Sequence, residues 1–224
     1  LDYQRLGSLL LIENEHQWAT METRAAGLQA AGVPAELLDQ GDVCRLEPSI
    51  SPDAVIGALY HANEGSLNPF KLVHAYARRG RRHGLEVWTH TEVTQVSIQG
   101  ERVTGVQTDR GDVAAGSVVL ATGAWARRLA ATVGVDLVLR WVHGEAFITE
   151  QLPPLVHCSI SSAAFFEATE ESDEQTVGFC LRQRPEGNVM IGEAAIVTES
   201  LGRRVTATAL PAIAREARRR FPAL

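Results

Sequence analysis

The sequence predicts an α/β protein of mixed α+β character, and three observations carry that expectation. Ser117-Val118-Val119-Leu120-Ala121 is an apolar run without polar alternation, the pattern of a strand covered on both faces in a parallel sheet. It closes in Ala121, Thr122 and Gly123, small residues that leave the strand's carboxyl end open to close approach, and in open α/β sheets nucleotides bind at that end. From Thr91 to Ala114, apolar and polar residues alternate around turns at Gly100 and Gly111-Asp112, which predicts an antiparallel meander. Helices with one apolar face are interspersed among these strands.

Taken in order, Gly7 to Ile12 reads as a buried strand by its continuous apolar run. Asn14 caps the helix that follows, with Gln17 three residues on as in a capping box; Trp18, Met21, Ala25 and Leu28 share its apolar face, and Gly32 and Pro34 end it. Periodicity assigns Trp18 and Met21 to the core. Glu36 to Leu38 and Asp42 to Leu46 are short elements whose type the pattern does not decide, while Val55 to Tyr60 is a strand. Asn68 as cap and Pro69 at the first helical position start a second helix, with Phe70, Val73, Tyr76 and Ala77 on one side. Its last turns carry Arg78, Arg79, Arg81, Arg82 and His83, cations that complement the negative end of the helix dipole. Leu85 to Thr89 should be the next strand, joined by a right-handed crossover. After the meander and the Ser117 strand, a helix runs from Trp125 to Gly134, and Leu137 to Thr149 is extended. Strands are expected at Ala164 to Ala168, Thr176 to Arg184 and Asn188 to Ile191, with Pro185-Glu186-Gly187 as a hairpin turn and Glu170 to Glu174 as an exposed acidic loop. A final helix presents Leu210, Ile213, Ala214, Ala217 and Phe221, with Arg218, Arg219 and Arg220 at its C-terminal end.

Composition narrows the function classes. The 224 residues are 45% hydrophobic, enough for a real core, and a net charge of −6 argues against general affinity for nucleic acid or anionic lipid. Cys44, Cys158 and Cys180 lie far apart with no C-x-x-C spacing, so neither a disulfide framework nor a zinc site is expected, and a reducing cytoplasm fits. No apolar run reaches the roughly 20 residues that span a bilayer. The histidines form no metal-binding pattern, and no G-x-S-x-G elbow occurs. No two of the 19 glycines are separated by a single residue, so the G-x-G-x-x-G turn that holds a dinucleotide pyrophosphate is absent. With Met21 as the first methionine, the chain reads as an internal fragment.

The order Gly65-Ser66-Leu67-Asn68-Pro69 opening a helix, Gly84 to Val87, Thr91-Glu92-Val93, a meander, then Val118 to Trp125 resembles the flavoprotein oxidoreductases of the D-amino-acid oxidase and glycine oxidase type. Leu181-Arg182-Gln183 followed by Gly187 to Gly192 is most similar to the proline or hydroxyproline dehydrogenase and opine oxidase subunits of that family. The resemblance runs from about Gly7 to Leu224. It implies part of an FAD-binding domain, 68–134 with 206–224, interleaved with a mixed-sheet substrate domain, 1–67 with 135–205.

The same resemblance implies FAD as cofactor in the full-length parent, with Val93 beside the adenine and Ala121, Thr122, Gly123 and Trp125 along the cofactor path; Val93 as plain core is equally open. It puts Cys180, Arg182 and Gln183 on a strand over the flavin, next to the substrate. Arg182 suits either a bidentate carboxylate contact or a cross-strand salt bridge. Cys180 departs from the tyrosine of glycine-oxidase-like relatives. No catalytic side chain is assigned, since the flavin carries the redox step. The implied reaction is hydride removal from the carbon next to the amine of an amino acid, imino acid or opine. A flavin-dependent 2-hydroxy acid dehydrogenase and a non-catalytic binding or assembly module on the same fold are the alternatives. Without the glycine turn, the chain alone is expected to fold, wholly or largely, yet hold no tight FAD; its uncovered strand edge should be met by another copy of the chain or by crystal neighbours, and a homo- or hetero-oligomer is open.

Overall fold

A computed structural model of the chain describes residues 1–166, 176–198, 201–202 and 205–224. The chain divides into two compact units: the first is Leu1–Pro69, Val142–Val197 and Gly202–Leu224, and the second is Phe70–Trp141 with Thr198–Leu201.

In the first unit, β1 (Gln4–Arg5) precedes β2 (Ser8–Ile12), helix α1 (Glu15–Ala30), β3 (Glu36–Asp39), helix α2 (Gln40–Leu46), β4 (Gly57–His61) and β5 (Gly65–Ser66). Helix α3 (Pro69–Arg81) leads into the second unit, which holds β6 (Val93–Gln99), β7 (Arg102–Thr108), β8 (Gly111–Ala114) and helix α4 (Ala126–Ala131). Strands β9 (Trp141–Gln151), β10 (Ser159–Ser162), β11 (Thr176–Gln183) and β12 (Asn188–Thr198) and helix α5 (Ala209–Arg220) complete the chain.

Seven strands form one mixed sheet in the order β3-β4-β2-β10-β11-β12-β9. Strands β2 and β10 are parallel, whereas β2 with β4, β3 with β4, β10 with β11 and β11 with β12 are antiparallel. Alternation splits the sheet's side chains between two layers. Leu9, Leu11, Ile160, Leu181, Val189 and Ile191 face the layer that also holds Ile213 and Ala217 of α5 and Phe221 just after it, while Ile12 and Leu59 pack with Met21 and Ala25 of α1. The capping box forms as the spacing predicts: Asn14 accepts from the Gln17 amide at 2.9 Å, and the Gln17 side chain accepts from the Glu13 amide at 2.8 Å. The final helix therefore belongs with the first unit rather than with the 68–134 block, because its buried face completes the larger sheet's core.

The second unit keeps the expected meander, with β6 paired to β7 and β7 to β8, all antiparallel. Two expected strands are not formed there. Leu85 to Thr89 and Ser117 to Ala121 have no ladder partner among the described residues, and Val119 is 88% exposed. An apolar run becomes a strand only when neighbours take up its N–H and C=O groups. The apolar side of α3 likewise stands open, with Phe70, Val73 and Tyr76 all exposed. In the first unit, Ala163–Phe166 is a 3-10 turn rather than a strand, Ser159–Ser162 is a strand that the pattern missed, and Glu170 to Glu174 lies outside the described residues.

Candidate functional site

The candidate residues fall in two groups, one in each unit. In the second unit, Ala121 and Thr122 run into a 3-10 turn at Gly123–Trp125, which continues directly into α4. Gly123 has φ +54, a conformation that favours glycine, and a Cβ there would meet nothing within 4 Å. Ala124 O accepts a hydrogen bond from the Trp141 indole at 2.9 Å, and the Trp125 amide donates to Thr122 O at 3.1 Å, so the turn is held from both sides. The Thr122 hydroxyl is buried yet has no hydrogen-bond partner among the described residues. Such an atom normally finds one, from protein, water or ligand. Val93 opens β6, opposite Thr108, and is half-buried.

In the first unit, Cys180 and Arg182 lie two residues apart on β11 and share a face of the sheet. Gly192 stands opposite Cys180, and a Cβ on it would approach the Cys180 sulfur to 3.2 Å. Met190, not an acid, stands opposite Arg182, so this register gives no cross-strand salt bridge. Gln183 has another task. Its carbonyl oxygen accepts from the amides of Leu155 and Val156 at 2.7 and 3.0 Å, and its amide group donates to the carbonyls of Leu152, Pro153 and Gly187 at 3.2, 2.8 and 2.9 Å. The side chain that sequence reading assigned to substrate is thus a bracket for the loop before β10, with its polar atoms fully committed.

Two buried polar centres escaped the sequence reading. Glu47, 0% exposed, follows α2 and accepts from the amides of His157 and Cys158, with the His157 ring nitrogen 3.4 Å away. Loss of water pushes its carboxyl above the ordinary 4.5, against the two backbone N–H groups that favour the anion. Burial beside Glu47 pushes the Cys158 thiol up to about 12, so it stays a thiol. Arg220, 4% exposed, donates to Glu13 and Glu216 and lies 4.6 Å over the Phe179 ring. Nothing in the run Arg218-Arg219-Arg220 distinguishes the buried member except its helical phase with Ile213 and Ala217. Among the described residues no group of acidic, histidine or cysteine side chains could hold a metal ion, and no helix is long and apolar enough to cross a membrane.

This arrangement of a large mixed sheet and a meander unit is shared with flavoenzyme structures. The structure of L-proline dehydrogenase from P. horikoshii superposes on 100% of this chain and 57% of its own, with a TM-score of 0.90 at 22% identity. Glycine oxidase from Geobacillus kaustophilus covers 98% of this chain and 55% of its own, with a TM-score of 0.82. Among curated relatives, hydrogen cyanide synthase subunit HcnC of Pseudomonas protegens is 34% identical over 143 residues, 63% of this chain and 34% of that protein. D-amino acid dehydrogenase of Rhizobium rhizogenes is 29% identical over 145 residues, 64% of this chain and 35% of its own length. The chain thus spans about a third of these relatives. The family model described as FAD dependent oxidoreductase matches residues 1–224, and the chain belongs to that family.

The residues of the second unit fit part of an FAD site. The orphaned Thr122 hydroxyl and the open space at Gly123 are what a cofactor edge lying along this turn would use. A glycine-rich pyrophosphate turn is not among these residues.

Proposed function

We propose that the chain is part of a flavin-dependent oxidoreductase that removes hydride from the carbon next to the amine of an amino acid, imino acid or opine in the cytoplasm. The observation that carries the reading is the family match along the whole chain, among relatives named for amino-acid oxidation. FAD, when bound, accepts the hydride. The chain's own residues hold and orient. Thr122, with its orphaned hydroxyl, would give the cofactor a hydrogen bond, Gly123 and Ala121 would let it approach, and Trp125 and the Val93 backbone would complete the contacts that hold it. Arg182 would hold the substrate carboxylate with its planar fork and so orient the carbon that loses hydride, and Cys180 would line the space beside it.

The test uses the full-length protein that contains this chain. It should purify with a flavin visible spectrum and reduce an electron acceptor with amino or imino acids. Arg182→Met should raise KM by about 10- to 100-fold, the value of a charge-assisted pair, and Thr122→Val should lower flavin occupancy. A colourless protein, or turnover of 2-hydroxy acids in preference to amines, overturns the reading.

A further inference from the structure

Within the first unit, a cavity of about 430 Å³ opens between α1 and the sheet face that carries Cys180. That is within the size range of small-molecule sites. Its apolar lining comes from Leu10, Leu28, Val33 and Leu59. Its polar lining is unevenly committed. Arg24 on α1 is stacked over the Phe166 ring, its guanidinium carbon 4.3 Å from the centroid, which pre-orients a planar fork at an exposed position beside the cavity. Glu64 accepts from the Ser8 hydroxyl at 2.6 Å and lies 3.9 Å from Nδ1 of His61. The other ring nitrogen of His61, Nε2, is buried and has no partner among the described residues.

We propose that this cavity takes an apolar chain ending in a carboxylate, with the chain against Leu10, Leu28 and Leu59, the carboxylate on the Arg24 fork, and His61 Nε2 completing its polar contacts. Glu64 does not repel such a group strongly, because its half-exposed carboxyl is screened by solvent, while one of its oxygens accepts from the Ser8 hydroxyl. Cys180 lines the cavity and also belongs to the strand assigned to substrate. This inference rests on the reading of Cys180 and Arg182 as substrate-strand residues. It extends that reading to a substrate class: amino acids or secondary amines whose substituent is an apolar chain with a second carboxylate.

Two measurements separate the proposal from the reading beneath it. By calorimetry on this 224-residue chain, octanoate should bind while octylamine and octanamide bind at least tenfold more weakly. Arg24→Gln should weaken octanoate about tenfold or more, and Leu28→Trp, which fills the cavity, should abolish binding. Equal binding of the three probes, no binding, or octanoate binding indifferent to Arg24→Gln overturns the proposal. With the full-length enzyme, kcat/KM for 2-aminosuberate should exceed that for 2-aminoheptanoate, and Arg24→Gln should remove the preference by lowering kcat/KM for 2-aminosuberate. If amines are oxidised without that preference, the cavity assignment fails and the amine reading stands. If no amine is oxidised although octanoate binds through Arg24, the amine reading fails and the cavity keeps its ligand.

Discussion

At the scale of single residues, two buried charge centres respond to pH in opposite directions. Glu216 would be pushed up by burial, but hydrogen bonds from Arg220 and Arg219 outweigh that and hold its carboxyl below the ordinary 4.5. Its folded value is lowered, so its stabilisation is present above about 4.5 and is lost as pH falls through the folded value. Replacing Arg220 with Met removes the buried one of the two arginines that Glu13 and Glu216 share and leaves them Arg219 alone, which should cost about 1.5 to 3 kcal/mol near neutrality. In urea melts, the gap between wild type and Arg220→Met should narrow below pH 4.5; a gap that stays constant contradicts the ion-pair account. Glu47 carries the other sign, because desolvation raises its folded value above 4.5. The contribution of its protonated form is full below 4.5 and falls away as pH rises through the folded value. Wild type should therefore lose ground to Glu47→Gln as pH rises from 4 to 8, and a growing wild-type advantage over that range would refute the assignment. Neither centre was legible in the sequence. A carboxylate in Leu46-Glu47-Pro48 looks like any loop acid, and only the fold brings the amides of His157 and Cys158, about 110 positions later, against it.

At the scale of elements, local chemistry was legible wherever the partner of a residue lies close in sequence. The Asn14 cap, the Asn68-Pro69 start, the meander turns and the Pro185 to Gly187 hairpin turn are all decided within a few positions. Leu85 to Thr89 and Ser117 to Ala121 are the counterexamples. Their apolar runs are right for strands, but a ladder is a property of two segments, and none of the described residues supplies the second. Gln183 illustrates a related point: its identity suits a ligand contact, and only the loop at 152–156 reveals where its bonds go. The junction of β3, β4 and α1 makes a sharp test of packing. A Cβ on Gly57 would stand 2.4 Å from the Leu38 carbonyl oxygen and 2.5 Å from the Trp18 ring. Gly57→Ala must move either a backbone or a ring in the core, and should cost about 1 to 3 kcal/mol. Gly27 on α1 has nothing within 4 Å of its would-be Cβ. Gly27→Ala should stabilise by about 0.4 to 1 kcal/mol through helix propensity and lost unfolded-state freedom. Denaturation midpoints that move in the same direction for both variants would show that close approach is not what fixes Gly57.

At the scale of the molecule, the two units differ in how much they bury. Among the described residues, the buried hydrophobic side chains of the second unit are Val96, Leu129 and Ala130, whereas the first unit carries two extended apolar clusters on either side of its sheet. Local stability follows buried apolar contact, so opening free energies should differ between the units. Amides of β2, β4 and β10 should exchange most slowly, those of β6 to β8 faster, and those of 85–92 and 115–122, outside any ladder or helix, fastest. The tryptophans allow an independent reading, because Trp88, Trp125 and Trp141 lie in the second unit and Trp18 in the first. Tryptophan emission should therefore shift at lower urea than the far-ultraviolet circular dichroism, which the large sheet, α1 and α5 dominate. Trp18→Phe should sharpen the contrast by leaving only second-unit reporters. Coincident transitions by both probes, with uniform exchange across β2 and β6, would mean that the chain unfolds as one cooperative block. The sparse core of the second unit would then be no guide to its stability.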